Sequence, residues 1–193
     1  MADFSVRGSF ADAQRVLAAL SADAPTLARI DDAGAALAQC IRAGSKVLLC
    51  GNGGSLCDAA HFAEELTGRF RADRRPLPAI ACADAGHITC TANDYGFENV
   101  FSRWVEALAK PGDVLVVLST SGNSANIIRA VETARALHLP TIALLGKGGG
   151  RLGGRCTHEI IVPGETSDRI QELHMLILHA WVEAIEASLG PPA

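Results

Sequence analysis

A chain of 193 residues with 49% hydrophobic content, 5% aromatic residues and a net charge of −4 carries enough aliphatic material for a sizeable core, which excludes a disordered or collagen-like protein. The mild charge and the lack of any long Lys or Arg run exclude the positive footprint that nucleic acid demands. No stretch approaches the ~18 continuous apolar residues of a membrane span.

In chain order, apolar positions recur at three- and four-residue spacing over residues 10–22 and 26–43, and Gly44 is placed to end the second stretch, so two helices are expected before any strand. Four apolar runs follow: KVLLCG, DVLVVLST, TIALLG and HEIIVP. Each is apolar on consecutive positions, as in parallel strands covered on both faces. A weaker fifth run, PAIACAD, lies between the first two. Helical stretches are expected over 55–70, 97–109, 124–137 and 168–188. This alternation predicts one doubly wound α/β domain over 1–193, with a helical segment 1–45 and an α/β core 46–193. In such a sheet, ligands bind beyond the carboxyl ends of the strands, so the loops leaving the strands are the ones to read.

The first of those loops, Gly51-Asn52-Gly53-Gly54-Ser55, turns sharply into a helix whose N-terminus aims free N–H groups at an anion. It is neither the dinucleotide pattern nor a P-loop. The second, Ser119-Thr120-Ser121-Gly122-Asn123-Ser124, clusters four hydroxyls. Ser124 has an obvious role as helix cap, but one cap needs one hydroxyl. The remainder suit a phosphate monoester. Six cysteines are scattered without a C-x-x-C pair, and MADFSVRGSF lacks a basic region followed by an apolar run. A reduced, cytoplasmic protein is expected.

His61 and Glu65 stand four apart on the helix after the first loop and share one face, although Glu64 at i+3 competes for the same partner. Near the chain end RIQELHMLILHAW carries Gln171, His174 and His179. Imidazole and carboxylate are ordinary zinc ligands and a carboxamide is an unusual one, so spacing alone leaves metal binding open. It also leaves open whether one subunit or two supply the groups.

The Ser-rich loop resembles that of the sugar isomerase (SIS) domain family, and residues 10–188 resemble its phosphoheptose isomerases through GNGGS, HFAEE, NDYGFE, STSGNS and RIQELH. The resemblance implies a three-layer α/β/α, flavodoxin-like fold with a five-stranded parallel sheet and N-terminal helices. It implies metal ligands His61, Glu65, Gln171 and His179, usually holding zinc, one ion per subunit. The implied substrate contacts are Asn52, Gly53, Gly54, Asn93, Asp94, Ser119, Thr120, Ser121, Ser124 and Gln171, with Ser55, Arg69 and Asp168 also at active-site positions. Gly86 departs from the Ser often found there. The implied activity is conversion of D-sedoheptulose 7-phosphate to D-glycero-D-manno-heptose 7-phosphate, the first step of heptose synthesis for lipopolysaccharide. Glu65 would move the carbon-bound proton and His179 would serve the oxygens. Apolar faces on the outer helices, read with the resemblance, lead to the expectation of a homotetramer whose partners are a phosphosugar and copies of itself. The alternative from another class is a non-catalytic SIS scaffold that binds the replication initiator protein. A phosphosugar sensor and an isomerase of another phosphosugar are lesser rivals.

Overall fold

Side-chain caps set where the first two helices begin. In the computed structural model, which describes residues 5–189, Ser5 accepts the Gly8 amide hydrogen and starts α1 (Val6–Ala22). Asp23 then accepts the Thr26 amide and starts α2 (Ala24–Arg42). Both helices therefore begin before their apolar spacing does. Gly44, at φ +80°, closes the second as expected. The expected domain limits at 1 and 193 lie outside the described residues.

Five strands follow, β1 (Val47–Gly51), β2 (Ala79–Ala81), β3 (Val114–Ser119), β4 (Thr141–Leu145) and β5 (His158–Ile161). They pair only in parallel, in the order β2-β1-β3-β4-β5. Every residue of β1, β3 and β4 is buried, which is why those runs are apolar on consecutive positions. The edge strands are partly exposed, and the shortness of β2 accounts for the weakness of its signal.

The connecting helices are α3 (Gly54–Thr67), α4 (Ala85–Tyr95), α5 (Val100–Leu108), α6 (Ala125–Ala136) and α7 (Ser167–Leu189). Alternate strand residues feed two separate cores. Leu49, Val116, Leu118 and Leu144 pack with α1, α2, α3 and α7. Leu48, Cys50, Leu115 and Val117 pack with α5 and α6 on the other face. Sequence reading assigned no helical stretch to α4. Its AGHITCTANDY fully buries only Thr91, with Ile88 and Ala92 partly buried against the second core, and Asp84 caps it at the His87 amide while Gly96, at φ +89°, ends it.

The long α7 lies against α2, where the fully buried Trp181 donates its indole N–H to the Ile30 carbonyl at 2.9 Å. A Cβ on Gly34 would stand 3.0 Å from that indole, so the glycine makes room for the ring. Further back on α7, His174 is also fully buried and donates from Nε2 to the Leu145 carbonyl at 3.3 Å. Its Nδ1 has no partner among the described residues, and burial pushes the imidazole pKa down to about 4. Between pH 6.5 and 4 the unfolded chain therefore binds a proton that the folded chain refuses. The fold loses about 1.4 kcal/mol per pH unit from this group as pH falls through that window, roughly 3 kcal/mol in total. Above pH 6.5 the penalty is absent. Chemical denaturation of the wild type and of His174→Gln across that range checks this, because the variant should lose stability less steeply.

Candidate active site

The strand order reverses between β1 and β3, and the loops that leave these two strands face the crevice where doubly wound sheets take their ligands. A reciprocal amide pair ties the loops together. Asn52 Nδ2 donates to Asn126 Oδ1 at 2.9 Å, and Asn126 Nδ2 returns a bond to Asn52 Oδ1 at 2.8 Å. Asn126, which sequence reading did not single out, is buried and also accepts the Ile127 amide. It satisfies a donor in the first turn of α6, and Ser124, although it stands at the cap position, makes no side-chain cap bond. The expected cap role therefore falls to Asn126, and the Ser124 hydroxyl is not spent on the helix. The only hint in the sequence was the second Asn of SGNSAN.

Inside the hydroxyl loop, Ser119 Oγ accepts the Gly122 amide at 3.0 Å and Ser121 Oγ accepts the Asn123 amide at 3.2 Å. A hydroxyl that accepts from the backbone keeps its own proton for another acceptor. Thr120 Oγ1 meets Ser167 Oγ at 3.1 Å, bringing the loop to the start of α7. Together these groups form a set of uncharged donors suited to an anion. In the β1 loop, a Cβ on Gly54 would stand 2.7 Å from Gln171 Oε1, so a side chain there would displace the Gln171 amide. Gln171 donates to the buried Ser55 hydroxyl at 3.2 Å.

The helices α3 and α7 run side by side in the same direction, since Gln171 meets Ser55 at one level and His179 meets Glu65 further along. Glu65 is 7% exposed. Its Oε1 lies 3.2 Å from His61 Nε2 and 3.4 Å from His179 Nε2, while Oε2 is buried without a partner among the described residues. Glu64 points outward and is exposed, which settles the choice between the two carboxylates. Ligand atoms of His61, Glu65 and His179 all lie within 4.8 Å of one another, and one chain supplies all three. Two imidazoles and a carboxylate with an unspent oxygen fit a divalent ion. Phe70 stacks on His179 at 5.8 Å between centroids.

Arg74 secures the end of α3. Its guanidinium donates to the Glu65 carbonyl at 2.5 Å and the Leu66 carbonyl at 2.9 Å, and pairs with Glu186 of α7 at 2.8 Å. Carbonyls of the last turn are thus satisfied by a cation suited to a helix C-terminus, and the same group links the two helices. Asp58, one turn before His61, was also passed over in sequence, though C-D-A-A-H sets it at i, i+3. Its Oδ2 is buried and unpartnered among the described residues, and burial pushes its pKa up to about 6 against the pull of His61.

Other expected site residues stand apart from this cluster. The Gln171 amide is engaged with Ser55, six residues or about 9 Å of helix rise before His61. Asn93 and Asp94 are exposed at the end of α4 and bond to each other at 2.6 Å. Arg69 is exposed in the bend after α3. Asp168 is exposed in the first turn of α7, where the Thr166 hydroxyl holds its carboxyl below the usual range. Gly86 is exposed near the start of α4.

The sequence pattern of the SIS domain family matches residues 10–146. The chain is 59% identical over 155 residues to the phosphoheptose isomerase of Fusobacterium nucleatum, covering 80% of each chain. Identity to the phosphoheptose isomerase of Proteus mirabilis is 49% over 185 residues, covering 95% of this chain and 96% of the other. The solved phosphoheptose isomerase of Neisseria gonorrhoeae superposes with a TM-score of 0.88 at 39% identity, over 94% of this chain and 97% of that one.

Proposed function

The chain belongs to the SIS domain family and, within it, to the phosphoheptose isomerases, and we propose that it converts D-sedoheptulose 7-phosphate to D-glycero-D-manno-heptose 7-phosphate through an enediol. The observation that carries this reading is the meeting of Glu65 with His61 and His179 on α3 and α7, α3 being the helix that the first anion-suited loop opens.

Ketose-to-aldose conversion removes a proton from C1 and returns one to C2, while the proton on O1 leaves and O2 gains one. Glu65 suits the carbon-to-carbon transfer, since Oε1 is held by the two imidazoles and Oε2 remains unspent. His179, one edge of which faces Glu65, shuttles the proton between the oxygens. The hydroxyl loop, with Asn52, Gly53 and Gly54, seats the phosphate and so orients the far end of the sugar at Glu65. Asn93, Asp94, Arg69 and Asp168 complete the substrate contacts. The proposed ion is zinc, which His61, Glu65 and His179 would hold, with Gln171 as the proposed further ligand. Bound there, zinc supplies a Lewis acid for the substrate carbonyl.

A non-catalytic scaffold accounts for the fold and the loops but has no use for a buried carboxylate between two imidazoles. We place the protein in the cytoplasm, in keeping with its six free cysteines; among the described residues no helix is long and apolar enough to cross a membrane. The proposed assembly is a homotetramer, a reading favoured by the exposure of Val6 (62%) and Phe10 (74%) on α1. A coupled assay on the purified protein tests the function. Sedoheptulose 7-phosphate should be turned over with a kcat/KM at least about tenfold above that for a six-carbon ketose phosphate. Absence of turnover with any ketose phosphate refutes the proposal.

A further inference from the structure

The glycine-rich segment after β4, residues 147–152, lies directly on the hydroxyl loop. The Leu152 amide donates to the Gly122 carbonyl at 3.1 Å. A Cβ on Gly150 would overlap the Ser121 carbonyl, and one on Gly122 would overlap the Gly149 carbonyl. Gly122, Gly149 and Gly150 have φ of +62°, +85° and +54°, a region open to glycine at little cost. One side chain joins the two segments by both of its polar atoms. Asn123 Oδ1 accepts the Arg151 amide at 3.0 Å, and Asn123 Nδ2 donates to the Ser121 carbonyl at 3.0 Å.

We infer that Asn123 is a positioning residue for phosphate: it clips the hydroxyl loop to the glycine-rich segment and thereby holds the Ser119 and Ser121 hydroxyls with their own protons free for an anion. Both hydroxyls are oriented by accepting amides at 122 and 123, and the backbone that carries those amides is fixed by the Asn123 side chain on one side and by Leu152 on the other. Truncating the side chain leaves the Arg151 amide and the Ser121 carbonyl without this partner, and the loop must then be ordered at the expense of binding. The proposal rests on the reading of this loop as the phosphate seat.

The experiment compares Asn123→Ala, Asn123→Asp, Ser121→Ala and Ser124→Ala with the wild type for sedoheptulose 7-phosphate kinetics, inhibition by inorganic phosphate, and thermal midpoint. Asn123→Ala should raise KM and the phosphate inhibition constant together by about tenfold, with kcat changed by less than about threefold, the pattern of lost uniform binding. Asn123→Asp keeps the acceptor for Arg151 but loses the donor and adds a negative charge, so it should bind phosphate more weakly still. If the serine variants weaken phosphate inhibition and Asn123→Ala does not, the inference is wrong and the loop reading stands. If none of the four changes it, both fail. A lowered thermal midpoint with KM unchanged, or a loss confined to kcat, also overturns the role assigned to Asn123.

Discussion

Glu65→Gln is expected to fold, to bind the phosphosugar, and to lose at least about 10³-fold in kcat, within the range a general acid–base group commands. The substitution keeps the shape of the side chain, its burial between α3 and α7, and an oxygen able to accept from His61 or His179. What it removes is the capacity to take a proton from carbon and, with it, the carboxylate donor to the proposed ion, so the zinc content of the variant is measured beside its kinetics. Because Oε2 has no partner among the described residues, the new amide group breaks no existing bond there, which limits the structural cost. Single-turnover kinetics, together with loss of exchange of the C1 hydrogen with solvent deuterium, separate this chemical defect from a binding defect. Wild-type turnover by the variant would remove Glu65 from the reaction.

Stripping divalent metal is expected to have the next largest effect. Dialysis against a chelator should abolish turnover and lower the thermal midpoint, and zinc should restore both. The stability term follows from linkage: an ion at 100 times its dissociation constant adds about 2.7 kcal/mol to a fold that binds it only when native. His61→Ala and His179→Ala should remove the zinc-dependent shift of the midpoint as well as the activity, since each deletes one of three donors within 4.8 Å. Measured zinc content gives a readout independent of catalysis. Full activity in protein shown to be metal-free would sink the assignment.

The parts of the fold that were legible in sequence are those where burial imposes a pattern. Consecutive apolar residues in β1, β3 and β4 reflect strands covered on both faces, and the four-residue step from His61 to Glu65 reflects one helix face. What escaped was held by contacts between distant residues. Asn126 gains its role from Asn52, 74 residues away, and Arg74 gains its role from α7, 112 residues on. Helix α4 escaped because its hold depends on an Asp cap and a positive-φ glycine more than on an apolar stripe. The cluster itself was only half legible. Spacing placed His61 with Glu65, but the meeting of α3 with α7 had to come from packing.

The connection between α3 and β2, residues 68–78, looks like the ordinary place for an insertion, since it is long and carries no regular element. Its pinning changes that expectation. Phe70 is stacked on His179, Arg74 reaches back to the Glu65 carbonyl and across to Glu186, and the Leu77 amide closes on Leu66. Each contact fixes how many residues lie between it and the next. Here a gained or lost residue would shift the stacked ring and the guanidinium out of phase. In an engineered library, deletions and insertions in this stretch should be purged as severely as substitutions of the reacting groups themselves.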